Sequence, residues 1–329
     1  MDTYELANAS RLLRSAGMKK EYEQLTDSSE YTSALEKLAK AYADDRQHDR
    51  AAELYLEYAR IFKEKCENSG DPDQAYEAVW GNIYACDALR AMLDYTAAEV
   101  AANAALEIAE EFAENFPDDP QMQRDLSVSY ERLGGIAEAL NDYRAAEGYY
   151  SKALEIDEKL AEKHPDDPNL QRDLSVSYNN LGDIAKALND YKAAEGYYAK
   201  ALVVRERLAE KYPDDPGMQR DLSVSYNKLG DIAKARNDYK AAEGYYAKTL
   251  EIRERLAENF PEVPMLKDDL AVSLFKCGTC SADGKLSSEQ KAMLRDAAAI
   301  WEELYKQTGY ELYAERRNLA QKLLNRCSE

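Results

Sequence analysis

A unit of 48 residues, written several times over, constrains this chain more than anything else in it. The run Gln-Arg-Asp-Leu-Ser-Val-Ser-Tyr begins at Gln123, at Gln171 and at Gln219, and a decayed copy keeps Asp269, Leu270, Val272 and Ser273 at the same interval. The copies at 118–165 and 166–213 are about three-quarters identical. In such an array each unit buries its apolar face against its neighbours, so a chain of 329 residues need not form one central core.

The periodicity inside a unit is helical. Asp119-Pro120 supplies an N-cap and a first-turn proline whose missing N–H costs nothing there. Leu126, Val128, Tyr130, Leu133, Ile136, Ala137 and Leu140 then recur mostly at spacings of three and four, until Asn141-Asp142 breaks the pattern. A second helix turns Tyr143, Ala146, Tyr149, Tyr150, Ala153, Leu154, Ile156 and Leu160 inward and ends before Pro165. The same punctuation returns at Pro213-Asp214-Asp215-Pro216 and, weakened, at Pro261-Glu262-Val263-Pro264. Each unit therefore reads as an antiparallel pair of long helices.

Tyr130-x-x-Leu133-Gly134, followed by Ala146-x-x-x-Tyr150, resembles the signature of the tetratricopeptide repeat family. Two further copies give Tyr178, Leu181, Gly182, Ala194 and Tyr198, then Tyr226, Leu229, Gly230, Ala242 and Tyr246. The period departs from the family's usual one of about 34 residues, and Glu158 stands where the family's closing proline would fall. The resemblance implies an all-α, right-handed superhelical solenoid of antiparallel helix pairs, here with helices longer than usual. The glycines and facing alanines are expected to bring the two backbones close, with Tyr130 and Tyr150 filling the space between successive units. Gly148, Gly196 and Gly244 recur inside the second helices, which suggests close backbone contact there too.

Degenerate copies extend the array, because Asp94-Tyr95 matches Asp142-Tyr143 and Arg50-Ala51-Ala52-Glu53 matches Arg144-Ala145-Ala146-Glu147. Six hairpins are expected, at 28–70, 71–117, 118–165, 166–213, 214–261 and 262–307. The last pairs Leu270 to Ala282 with a helix from Ser287 to Gln307, opened by a capping box at Ser287 and Gln290. Residues 1–27, with a helix over 2–16 stopped by Gly17, and residues 308–329 are expected to cap the two ends.

Composition excludes several functions. A formal charge of −20 and an isoelectric point near 4.7 oppose binding to a phosphate backbone; they suit a solvated surface that keeps a long array soluble as well as a protein or peptide partner of basic character, so charge alone picks no partner. No stretch has the ~20 apolar residues of a membrane span, and the first twenty residues carry no signal-peptide pattern, so a cytoplasmic location is expected. The five cysteines, Cys66, Cys86, Cys277, Cys280 and Cys327, do not form a disulfide framework. Catalysis is not expected. His48 and His164 are the only histidines and sit in different units, and no nucleophile, base and orienting group converge. Cys277-Gly278-Thr279-Cys280 is a single pair whose first member stands where other units have leucine, so it reads as packing, and no metal or cofactor is expected.

The resemblance places a concave groove on the first helices, where relatives receive an extended peptide or a helix. By register that face carries Glu131, Arg132, Gly135 and Glu138, then Asn179, Asn180, Asp183 and Lys186, then Asn227, Lys228, Asp231 and Lys234, with Val128, Val176 and Val224 as an apolar strip. Asn179 and Asn227 are the leading candidates, since an amide both donates to and accepts from a peptide backbone. Their repetition is equally accounted for by duplication of a polar face. A subset of the family clamps the terminal carboxylate of chaperones. Here Asn180 and Lys228 fit that clamp, but Glu131, Gly135 and Val224 do not, so chaperone tails are not the expected ligand. The expected function is a non-enzymatic protein-interaction scaffold, monomeric or weakly self-associating. A peptide-sensing regulator and a self-assembling rod are the alternatives.

Overall fold

The computed structural model describes residues 13, 16–282 and 284–326, and every regular element among them is an α-helix. Cys327 and the expected helix over 2–16, apart from residues 13 and 16, lie outside the described residues. The chain forms two compact units, Met1–Pro165 and Asp166–Glu329. No helix among the described residues is long and apolar enough to cross a membrane.

The first unit holds α1 (Lys19–Thr26) and then three helix pairs: α2 (Ser29–Asp44) with α3 (His48–Ser69), α4 (Pro72–Ala91) with α5 (Tyr95–Asn115), and α6 (Pro120–Ala139) with α7 (Tyr143–Lys163). The second unit holds α8 (Pro168–Ala187) with α9 (Tyr191–Lys211), α10 (Pro216–Ala235) with α11 (Tyr239–Asn259), and α12 (Pro264–Gly278) with α13 (Ser288–Thr308). A final helix, α14 (Glu311–Arg326), packs on α13.

Local chemistry sets the helix ends. The Asp119 carboxylate accepts from the backbone N–H groups of Gln121 and Met122 at 2.8 and 3.2 Å, and Asp167 repeats this with Asn169 and Leu170. Between the helices of a pair, Asn141, Asn189 and Asn237 take positive φ of 61°, 63° and 64°, a conformation asparagine tolerates better than most side chains. The next residue, Asp142, Asp190 or Asp238, then caps the second helix through an N–H three residues on, at 3.0 Å in each copy.

The sixth pair departs from its expected outline. Its first helix begins at Pro264 and stops at Gly278 rather than running to Ala282, and the Thr279 hydroxyl just beyond it donates to the Phe275 carbonyl at 2.8 Å. The connection then runs to Ser287, which does form the capping box with Gln290.

In each unit the core combines buried alanines with aromatic rings. Ala98, Ala146, Ala194 and Ala242, one on each of α5, α7, α9 and α11, are fully buried. A Cβ placed on Gly134 would lie 2.6 Å from Tyr150 Cε1, and Gly230 stands in the same relation to Tyr246. The glycine thus makes room for a ring of its own pair rather than for the opposing backbone, and the equivalent ring of Tyr198 also packs with Leu229 and Ile232 of the next pair. Tyr130 does reach the preceding pair, its hydroxyl donating to Glu110 at 2.7 Å. A Cβ added to Gly148, Gly196 or Gly244 would meet no neighbour within 4 Å, so no close backbone contact explains these glycines.

In the second unit two buried arginines fasten successive pairs. Arg205 donates to Ser175 Oγ at 3.0 Å and to the Asp221 carbonyl at 2.8 Å. One period later, Arg253 does the same with Ser223 and the Asp269 carbonyl at 3.1 and 2.8 Å. Burial lowers both guanidinium pKa values, and satisfied donors on either side hold the charge in place.

Candidate functional site

The first-helix face of the second unit is built on α8, α10 and α12. Asp183 accepts from the Tyr198 hydroxyl at 2.6 Å and from Lys228 Nζ at 2.6 Å. Asp231 accepts from Tyr246 at 2.8 Å and from Lys276 Nζ at 2.7 Å, with Lys186 Nζ 3.8 Å away. Each of the two bonded lysines also lies over the ring of that same tyrosine, Lys228 at 5.3 Å from Tyr198 and Lys276 at 5.8 Å from Tyr246. Lys234 donates to the Thr279 carbonyl at 3.1 Å. Burial pushes the Lys276 ammonium down while Asp231 pulls it back up, and burial beside Asp231 raises the Tyr246 phenol.

These bonds alter the chemistry of the face. Asp183, Lys228 and Asp231, mapped to the groove by register, belong to Tyr-Asp-Lys clusters that link one pair to the next. The links recur because a lysine 45 residues after each aspartate projects back onto it. Sequence reading missed Tyr198, Tyr246 and Lys276 as members of this face, although adding 48 to Lys228 reaches Lys276 directly.

The asparagines behave differently. Asn179 is 5% exposed, and neither its Oδ1 nor its Nδ2 has a hydrogen-bond partner. Asn227 is half-buried and its Oδ1 is likewise unpaired. Asn179 is thus enclosed rather than displayed. An unpaired buried amide costs about 1–3 kcal/mol. Asn180 is half-buried and engaged, as is Glu131.

In the first unit, Arg132 Nε lies 3.0 Å from Asp87, the counterpart of the Lys228–Asp183 pair. Tyr150 donates to Glu138 at 2.9 Å, where the second unit uses an aspartate. Val128 is buried, and Val176 and Val224 are half-buried. The signature residues Tyr130, Leu133, Gly134, Ala146 and Tyr150, with Tyr178, Leu181, Gly182, Ala194 and Tyr198 and then Tyr226, Leu229, Gly230, Ala242 and Tyr246, all sit in the core.

The remaining chemistry is sparse. Cys280 is fully buried, and the Cys277 thiol is pushed up to about 11 by burial, which keeps it protonated and weakly nucleophilic. No three His, Cys, Asp or Glu residues gather as a metal site among the described residues.

A tetratricopeptide repeat family model matches residues 125–207, and a second matches residues 222–262. No curated protein matches the chain's sequence at a significant level. Among solved structures, BtubC (BKLC) from P. vanneervenii is similar with a TM-score of 0.60 at 24% identity, over 81% of this chain and 92% of that one. Aspartyl phosphate phosphatase F from Bacillus subtilis gives 0.57 at 14% identity, over 94% of this chain and 73% of that one. A Rap protein complexed with Competence and Sporulation Factor gives 0.51 at 14% identity, over 94% and 82%. At these identities the likeness is one of fold.

Proposed function

We propose, for a chain that belongs to the tetratricopeptide-repeat family, that it is a non-enzymatic protein-interaction scaffold whose first-helix face receives an extended peptide or a helix of a partner protein. The observation that carries this reading is the unpaired amide of Asn179, joined by Asn227 Oδ1 one period later. Neighbouring charges are engaged in holding the pairs together, whereas the Asn179 amide and Asn227 Oδ1 have no hydrogen-bond partner in the fold. A bound backbone would satisfy both donor and acceptor after a change of side-chain rotamer. The formal charge of −20 favours a basic partner. The complex of a Rap protein of similar fold with Competence and Sporulation Factor supports a second reading, in which the chain senses a peptide and regulates another protein.

A library of displayed 15-residue peptides, ~10⁹ in number, selected on the full chain, would supply the ligand. Calorimetry of the enriched peptide on the Asn179→Ala, Asn227→Ala variant should show affinity weaker by about tenfold or more. The melting temperature should be unchanged or higher, because an unsatisfied amide has been removed. Equal affinity of the two proteins would refute the assignment.

A further inference from the structure

The second-helix side of the sixth pair opens into a cleft of about 450 Å³. It lies among α11, α12 and α13 and is lined by Glu243, Ala247, Leu250, Cys277, Glu289 and Met293. Its origin can be read by counting in 48s. In the preceding pair Tyr245 packs against the buried cluster of Ala194, Tyr198 and Leu229, and Tyr239 lies at the start of the same helix. The corresponding residues of the sixth pair are Met293 and Ser287. The register is secure, because Gly278 and Leu294 stand in the relation that Gly230 and Tyr246 have one period earlier. The phenol ring that packs on the preceding pair in the earlier copy is therefore replaced by a thinner thioether chain in the last one, and part of the surface it would cover is left open.

The rim has changed in step. Glu195, one period before Glu243, is paired with Arg236. The residue one period after Arg236 is Gly284, which brings no cation. Glu243 and Glu289 have no hydrogen-bond or ion-pair partner among the described residues. The other polar groups of the lining are engaged: Gln290 Oε1 accepts from the Ser287 N–H at 3.0 Å, and Gln290 Nε2 donates to the Cys280 carbonyl at 2.6 Å. An apolar floor with thioether and thiol sulfurs, under two unpaired carboxylates, suits one kind of occupant. The sulfurs favour an aromatic ring, and the carboxylates favour a neighbouring cation.

We propose that this cleft binds a partner segment presenting an aromatic side chain beside lysine or arginine, seated as Tyr245 and Arg236 seat on the preceding pair. It shares Tyr246 with the first-helix face but is lined by neither Asn179 nor Asn227.

The probe is a fluorescein-labelled peptide with the sequence of residues 236–248, read by anisotropy against the full chain. Saturable binding is expected with a dissociation constant on the order of 10–100 μM. Affinity should fall about tenfold when Tyr245→Ala is made in the peptide, and by a similar factor in the Met293→Tyr protein, whose added ring fills the cleft. That variant should melt no lower than the parent, which separates a filled cleft from a damaged fold. Glu243→Gln with Glu289→Gln should weaken binding about threefold at low salt, with the difference vanishing at high salt. Asn179→Ala, Asn227→Ala should leave it unchanged. Absence of saturation up to about 1 mM, or equal affinity for the Met293→Tyr protein, would overturn the proposal. So would a concentration-dependent dimer of the parent that Met293→Tyr abolishes, which would assign the cleft to a second copy of this chain.

Discussion

Replacing Asp125 with asparagine should make the protein more stable at neutral pH and leave it nearly unchanged in acid. Asp125 is 1% exposed; its Oδ1 accepts from Trp80 Nε1 at 3.0 Å and Gln121 Nε2 at 2.8 Å, and its Oδ2 is buried without a partner. Its counterparts have an arginine: Arg172 Nε lies 2.5 Å from Asp221, and Arg220 Nε 2.5 Å from Asp269. In both pairs the arginine precedes the aspartate by 49 residues, and at that distance before Asp125 stands Tyr76. Burial without that cation raises the Asp125 carboxyl from 3.8 to about 6, against the opposing pull of the Trp80 and Gln121 hydrogen bonds.

The folded state therefore holds a proton between pH 3.8 and about 6 that the unfolded state has released. Stability falls as pH rises through this window, by about 3 kcal/mol for a shift of that size, and the penalty is constant above it. Asparagine is neutral throughout, and its Nδ2 would be as unpaired as Oδ2 is now, so that term cancels to first order. Urea unfolding of the two proteins at matched pH should give a stability difference near zero at about pH 4, growing to ~3 kcal/mol in favour of Asp125→Asn by about pH 7. A difference that does not change with pH would refute the reasoning.

Two glycines in one helix pair should respond with opposite sign. Gly134→Ala forces a methyl to 2.6 Å from the Tyr150 ring and should destabilise by about 1–3 kcal/mol, whereas Gly148→Ala meets nothing within 4 Å and should stabilise by about 1 kcal/mol. Thermal melting of both variants checks this, and shifts in the same direction would count against the packing described. Arg205→Leu leaves Ser175 Oγ and the Asp221 carbonyl without their buried donor and should cost about 3 kcal/mol. Amide hydrogen exchange should show the loss first in α8 and α10, and unchanged protection there would show that Arg205 does not fasten the pairs.

The period of 48 residues, the Asp-Pro starts and the Asn-Asp breaks were enough to determine an all-α succession of antiparallel helix pairs, because caps, breakers and helical spacing act over a few residues at a time. The resemblance to tetratricopeptide repeats was legible for the same reason, since Tyr-x-x-Leu-Gly and Ala-x-x-x-Tyr encode contacts repeated in every copy. Tertiary structure decided what those residues touch. Gly134 accommodates a ring of its own pair, Gly148 accommodates nothing, and Asp183 is held by Lys228, 45 residues ahead of it. A hydrogen bond between neighbouring pairs depends on how far one helix is displaced and turned against the next, which local spacing does not specify. The same holds for burial: Asn179 and Asn180 are adjacent in the chain, yet one amide is enclosed without a partner and the other is engaged. Sequence determined which residues recur, and packing between successive helix pairs decided which of them are hydrogen-bonded and which are left unpaired.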